Sequence, residues 1–170
     1  QVLLAVMASM YGVYHGPSGI KNIGKKIHYL TSKLSEGLTQ LGYHQLNKTY
    51  FDTILINVGN VSMENINTYA EDAKINFNYI DEKTLSISID EKDDLNNIND
   101  ILEVFAKSCN HSDSKNLIEE ILAGNYDEAY NKIPEKLYRK SDYLQNEIFN
   151  KYHSETEMMR YIKRLENKDL

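Results

Sequence analysis

Residues 75–89 read INFNYIDEKTLSISI, and this stretch decides the fold class. The polar triplet DEK at positions 81–83 separates two short runs that are rich in β-branched and aromatic residues. Two such runs joined by a short polar turn are typical of a β-hairpin. From Leu85 to Ile89 the apolar residues alternate with serine, which predicts a strand with one dry and one wet face.

The segments around this hairpin extend the sheet and cover it. The stretch FDTILINV at 51–58 predicts a further strand, and residues 43–46 are a shorter candidate. Helical patterns fall at about 62–74 and 94–107. Together with two helices at the start of the chain, the order is α-α-β-β-α-β-β-α. We therefore predict an α+β fold, a small and mainly antiparallel sheet with helices packed on it.

The start of the chain predicts two helices separated by a break. Apolar residues spaced at three and four positions over residues 2–14 predict a largely buried helix. Gly16 interrupts it, and Pro17 suits the first turn of a second helix, where a missing N–H costs nothing. That helix is predicted to run over 17–41, with Gly42 as its C-terminal stop.

The end of the chain predicts a helix that needs a partner surface. Ser154 and Glu157 have the spacing of a capping box, and an apolar face follows. The apolar face comprises Met158, Tyr161, Ile162 and Leu165. A helix this short is marginal alone in water, so we expect this face to dock.

Composition divides the chain into three predicted parts. Residues 1–108 form the α+β domain, 109–152 a helical and irregular linker, and 153–170 a capped terminal helix. Within the linker, residues 113–132 resemble short helices broken at Gly124. Because the chain begins with Gln and both ends look cut, we expect a fragment of a longer polypeptide.

Charge and apolar runs exclude some classes of partner. The chain has 170 residues and a formal net charge of −6, without a basic tract. A mildly acidic chain is a poor binder of phosphate backbones, which argues against nucleic acid. No apolar run approaches the roughly 20 residues that a membrane span needs. A single cysteine excludes a disulfide within the chain.

Few residues suggest a catalytic or ligand-binding role. Cys109 with His111 is a possible nucleophile and base, but an ordinary loop cysteine is the favoured interpretation. His15 is expected to pack against neighbouring backbone, and His153 to make a structural hydrogen bond across the linker. The scattered histidines do not predict a metal site. The remaining candidates are charged side chains that we expect to lie on solvated faces: Lys21, Lys25, Lys26, Lys33, Asp93 and Asp94. We predict no catalytic, cofactor-binding or metal-binding residue in this chain.

Four stretches together resemble the glycine cleavage system P-protein family, the pyridoxal-phosphate-dependent glycine dehydrogenases (decarboxylating). They are QVLLAVMASMYGVYHGPSGIKNIGKKIHYLTSKL at 1–34, YFDTILINV at 50–58, SISIDE at 86–91 and FNKYHSETEMMRYIKRLENKDL at 149–170. The last is the most specific, and it resembles the junction between the two homologous halves of the family protein. The matching positions are Phe149, Asn150, Tyr152, His153, Ser154, Glu155, Arg160, Tyr161, Leu165 and Glu166.

The resemblance implies the small C-terminal domain of the cofactor-free half of a fold-type-I enzyme at 1–108, then the linker, and at 153–170 the first helix of the catalytic half. It implies a parent enzyme that decarboxylates glycine with pyridoxal phosphate and passes the aminomethyl group to the lipoyl H-protein. The lysine that binds the cofactor then lies downstream of Leu170, so this fragment is expected to be inactive alone. His153, Ser154 and Glu155 are the positions to examine first.

The resemblance also implies partners and a compartment. The partners are the remainder of the P-protein and the H-protein, in a homodimer or an α2β2-like assembly, without nucleic acid or membrane. The compartment is the bacterial cytoplasm or the mitochondrial matrix. Two alternatives stay open at this point, a non-enzymatic α+β interaction module and the small domain of another fold-type-I pyridoxal phosphate enzyme.

Overall fold

A computed structural model describes residues 2–111, 114–123 and 133–168 of the chain. It divides into two compact units. The first unit comprises residues 1–24 and 139–170, and the second comprises residues 25–138. The predicted division of the chain into residues 1–108, 109–152 and 153–170 stays a prediction. Gly124 of the predicted short helices lies outside the described residues.

Helices and strands follow the predicted order. The helices are α1 (Val2–Gln40), α2 (Met63–Asp72), α3 (Leu95–Ser108), α4 (Ser114–Leu122) and α5 (Glu155–Glu166). The strands are β1 (His44–Gln45), β2 (Thr53–Asn57), β3 (Asn78–Tyr79) and β4 (Thr84–Ser88). Short 3-10 turns lie at Glu135–Leu137 and Glu147–Asn150.

The four strands form one antiparallel sheet in the order β1-β2-β4-β3, which confirms the predicted α+β class. Ile54 pairs with Ile87 and Ile56 with Leu85, and all four side chains are buried on one face. On the opposite face the Thr53 and Ser88 hydroxyl oxygens lie 2.8 Å apart. The predicted alternation of a dry and a wet face is therefore confirmed.

The edge strands are shorter than predicted because the first N–H group of each predicted strand completes the end of the preceding helix. Tyr43 N–H donates to the Leu38 carbonyl at 2.9 Å, closing α1 around Gly42 with its φ of 89°. Ile75 N–H likewise donates to the Ala70 carbonyl at 2.8 Å, closing α2. An N–H that completes a helix end is not available to a sheet ladder, so β1 and β3 begin later.

The core of the second unit lies between the buried sheet face and three helices. Leu34 and Leu38 of α1, Ile66 of α2, and Leu102 and Phe105 of α3 are all fully buried. Fully burying an aliphatic side chain stabilises the fold by roughly 1.5–3 kcal/mol. The core therefore fixes the second half of α1, as the predicted apolar face over 17–41 requires.

The first half of α1 corrects one prediction. Residues 2–14 are helical, but Val2, Leu3, Leu4 and Met7 are 76, 69, 70 and 59% exposed. Among the apolar side chains of 2–14, only Val13 belongs to the core. The spacing predicts the helix correctly, whereas burial depends on a surface that the described residues do not provide.

Candidate functional site at the helix break

The first unit is organised around an interruption of α1 at Gly16. Gly16 has φ 63° and ψ −178°, which is non-helical backbone, and Pro17 follows it. The last carbonyls of a helix lose their intrahelical donors at such a break, and a proline supplies no N–H. The predicted break is confirmed, and it leaves carbonyl oxygens that need other partners.

Two side chains from the C-terminal segment donate to carbonyl oxygens on either side of the break. The His153 Nδ1–H donates to the Tyr14 carbonyl oxygen at 2.7 Å. The Tyr143 hydroxyl donates to the Pro17 carbonyl oxygen at 2.7 Å. We call these two hydrogen bonds the junction latch. They tie residues 143–153 to the helix break, so the structural hydrogen bond predicted for His153 is confirmed.

Close packing at Gly16 makes the latch sensitive to side-chain size. A Cβ atom at Gly16 would lie 2.6 Å from the Phe149 carbonyl oxygen and 2.8 Å from His153 Cε1. One turn earlier, a Cβ at Gly12 would lie 3.6 Å from the Phe149 ring, which is ordinary contact. Glycine is therefore required at position 16 by both its positive φ and its neighbours.

The three positions to examine first have separate surroundings. Because a carbonyl oxygen only accepts, His153 is protonated on Nδ1 in this arrangement. The Ser154 hydroxyl donates to Glu157 Oε2 at 3.1 Å and accepts from the Glu157 N–H at 3.3 Å. Glu155 lies exposed in the first turn of α5. The Ser154 hydroxyl therefore caps α5 and is not paired with His153 as a nucleophile.

The predicted capping box at α5 is only half formed. Ser154 caps the helix as predicted, but the Glu157 carboxylate accepts from the Ser154 hydroxyl instead of the Ser154 N–H. A complete box forms instead at α3, where Asp94 accepts from Asn97 N–H and Asn97 accepts from Asp94 N–H. Asp94 therefore acts as a helix cap and not only as a solvated charge.

One face of α5 brings two tyrosine rings and an arginine together. Tyr152 and Tyr161 stack with centroids 4.5 Å apart and rings 14° from parallel. The Arg164 guanidinium lies 5.2 Å from the Tyr152 centroid and 5.9 Å from the Tyr161 centroid. It also donates to the Tyr152 hydroxyl at 2.7 Å. Tyr161, predicted as part of an apolar docking face, is instead half-buried by Tyr152.

Cys109 lies at the end of α3 and not in a free loop. Its thiol donates to the Ala106 carbonyl at 3.4 Å and lies beside the Tyr43 hydroxyl. Burial, followed by this thiol, raises the pKa of Tyr43, whose hydroxyl donates to the Phe105 carbonyl. The His111 ring makes no hydrogen bond to Cys109 in the described part of the chain. The arrangement fits the favoured structural interpretation of Cys109.

Two other histidines have packing roles. His15 lies against the rings of Tyr11 and Tyr14, with centroids 4.3 and 5.1 Å away. His28 is buried, donates from Nδ1 to the Phe51 carbonyl at 2.9 Å and stacks on the Phe51 ring. The sequence analysis did not predict that His28 is buried. The place of His28 in α1, four residues before a turn of the helix that lies in the core, was a usable signal.

Two lysines of α1 have partners within the second unit. Lys33 is nearly buried, with Nζ 3.8 Å from Glu36 and 5.9 Å from the Tyr29 centroid. Lys26 donates to the Glu91 carbonyl at 2.9 Å. Over the residues that the structure describes, no three His, Cys, Asp or Glu side chains are placed to hold a metal ion. Within the same residues, no helix has the length and apolar character to cross a membrane.

Comparison with known proteins identifies the family. The family model described as glycine cleavage system P-protein matches residues 1–105. The chain belongs to the P-protein family. Proteins named glycine dehydrogenase (decarboxylating) match along all of it, from Christiangramia forsetii at 44%, a Nostoc species at 41% and a Synechocystis species at 44% identity. The chain spans only 17% of the length of each of these P-protein relatives.

Proposed function

We propose that this chain is an architectural segment of a glycine dehydrogenase (decarboxylating). The parent protein decarboxylates glycine with pyridoxal phosphate and transfers the aminomethyl group to the lipoyl H-protein. The observation that carries this proposal is the 40–44% identity along the full chain to proteins of that name. The parent works as a homodimer or an α2β2-like assembly, in the bacterial cytoplasm or the mitochondrial matrix.

The role of this segment is to join the two halves of the parent. The junction latch binds the helix break to a segment more than a hundred residues later in the chain. Both side chains donate to backbone carbonyls beside a helix break, a contact that holds the backbone in place. The latch therefore supports a structural role for His153 and Tyr143.

The cofactor is proposed to bind outside this chain. A pyridoxal phosphate site needs an accessible lysine amine, a phosphate cradle and an acid beside the pyridine nitrogen. The Lys26 amine is bound to a carbonyl, and Lys33 lies beside Glu36 and Tyr29. These residues do not fit the group, and we assign no step of the reaction to them.

Reductive trapping tests this proposal. The full-length protein that contains these residues would be treated with borohydride, digested and examined by mass spectrometry for a pyridoxyl-lysine peptide. We expect one adduct, on a lysine outside residues 1–170, together with glycine/CO2 exchange in the presence of H-protein. An adduct on a lysine of this chain would contradict the architectural role. The absence of both adduct and exchange would contradict the enzyme assignment and favour an interaction module.

A further inference from the structure

We draw no further inference here: the strongest candidate, the cleft between β4 and α3 that Asn78, Ser88 and Asp100 line, carries nothing because nothing in the structure shows what covers it.

Discussion

Replacing Gly16 by alanine tests the junction latch most directly. At Gly16 the φ of 63° places an L-residue in the left-handed region, which costs about 1–2 kcal/mol. The new Cβ would meet the Phe149 carbonyl at 2.6 Å, so residues 149–153 have to move away. That movement breaks the hydrogen bond from His153 to Tyr14, worth about 0.5–1.5 kcal/mol. We therefore expect Gly16→Ala to destabilise the first unit by about 2–3 kcal/mol.

Two other glycines separate the contributions. Gly59 has φ 62° and open space around its Cβ position, so Gly59→Ala carries the backbone cost without the collision. Gly12 lies inside the helix with room for a methyl group, so Gly12→Ala should be neutral or stabilise by up to about 1 kcal/mol. The comparison therefore isolates the contact between Gly16 and the segment after Phe149.

The assay combines urea unfolding with amide hydrogen exchange. Urea titration gives the change in free energy of unfolding for each variant, and exchange shows where protection is lost. Gly16→Ala should expose the amides of residues 143–153, whereas Gly12→Ala and Gly59→Ala should leave them protected. If Gly16→Ala costs no more than Gly59→Ala and residues 143–153 keep their protection, the latch does not depend on close packing at the break.

The remaining predictions concern the second unit. Hydrogen bonds from the backbone N–H groups of Asn97 and Asn96 lower the pKa of Asp94 in the folded protein. The contribution of Asp94 to stability is therefore present above its unfolded pKa, which is near 4. This contribution is lost as the pH falls through the lowered pKa of the folded state. Asp94→Asn should flatten the acid limb of a stability-versus-pH curve measured by thermal unfolding, and an unchanged limb would show that another carboxylate controls it. Ile54→Ala should cost about 2–5 kcal/mol in urea unfolding because Ile54 is fully buried, whereas Leu55→Ala on the opposite face should cost clearly less; equal costs would contradict the two-faced sheet.

Local patterns predicted most of the elements because their causes are local. The alternation from Leu85 to Ile89 sets which face of β4 is buried, whatever it packs against. Gly16-Pro17 predicts a helix break from the backbone properties of the two residues alone. Helix ends at Gly42 and Ser154 follow from single-residue capping preferences.

The features that sequence reasoning did not give depend on distant partners. The Tyr14 carbonyl that accepts from His153 is 139 positions away, and no periodicity encodes that pairing. The exposure of residues 2–14 depends on which surface meets the helix, which spacing does not specify. The stack of Tyr152 on Tyr161 likewise replaces an apolar docking face with an aromatic one. In each case the pattern defines an element and tertiary contact defines its neighbours.

The two-residue edge strands have a consequence for how this polypeptide can aggregate. A long bare strand edge is a template for another chain to extend the ladder, and such growth leads to fibres. Here β1 and β3 each offer only two residues at the rims of the sheet. Self-association of this polypeptide at high concentration should therefore proceed through the exposed apolar side chains at the start of α1. Dilution or mild detergent should reverse it.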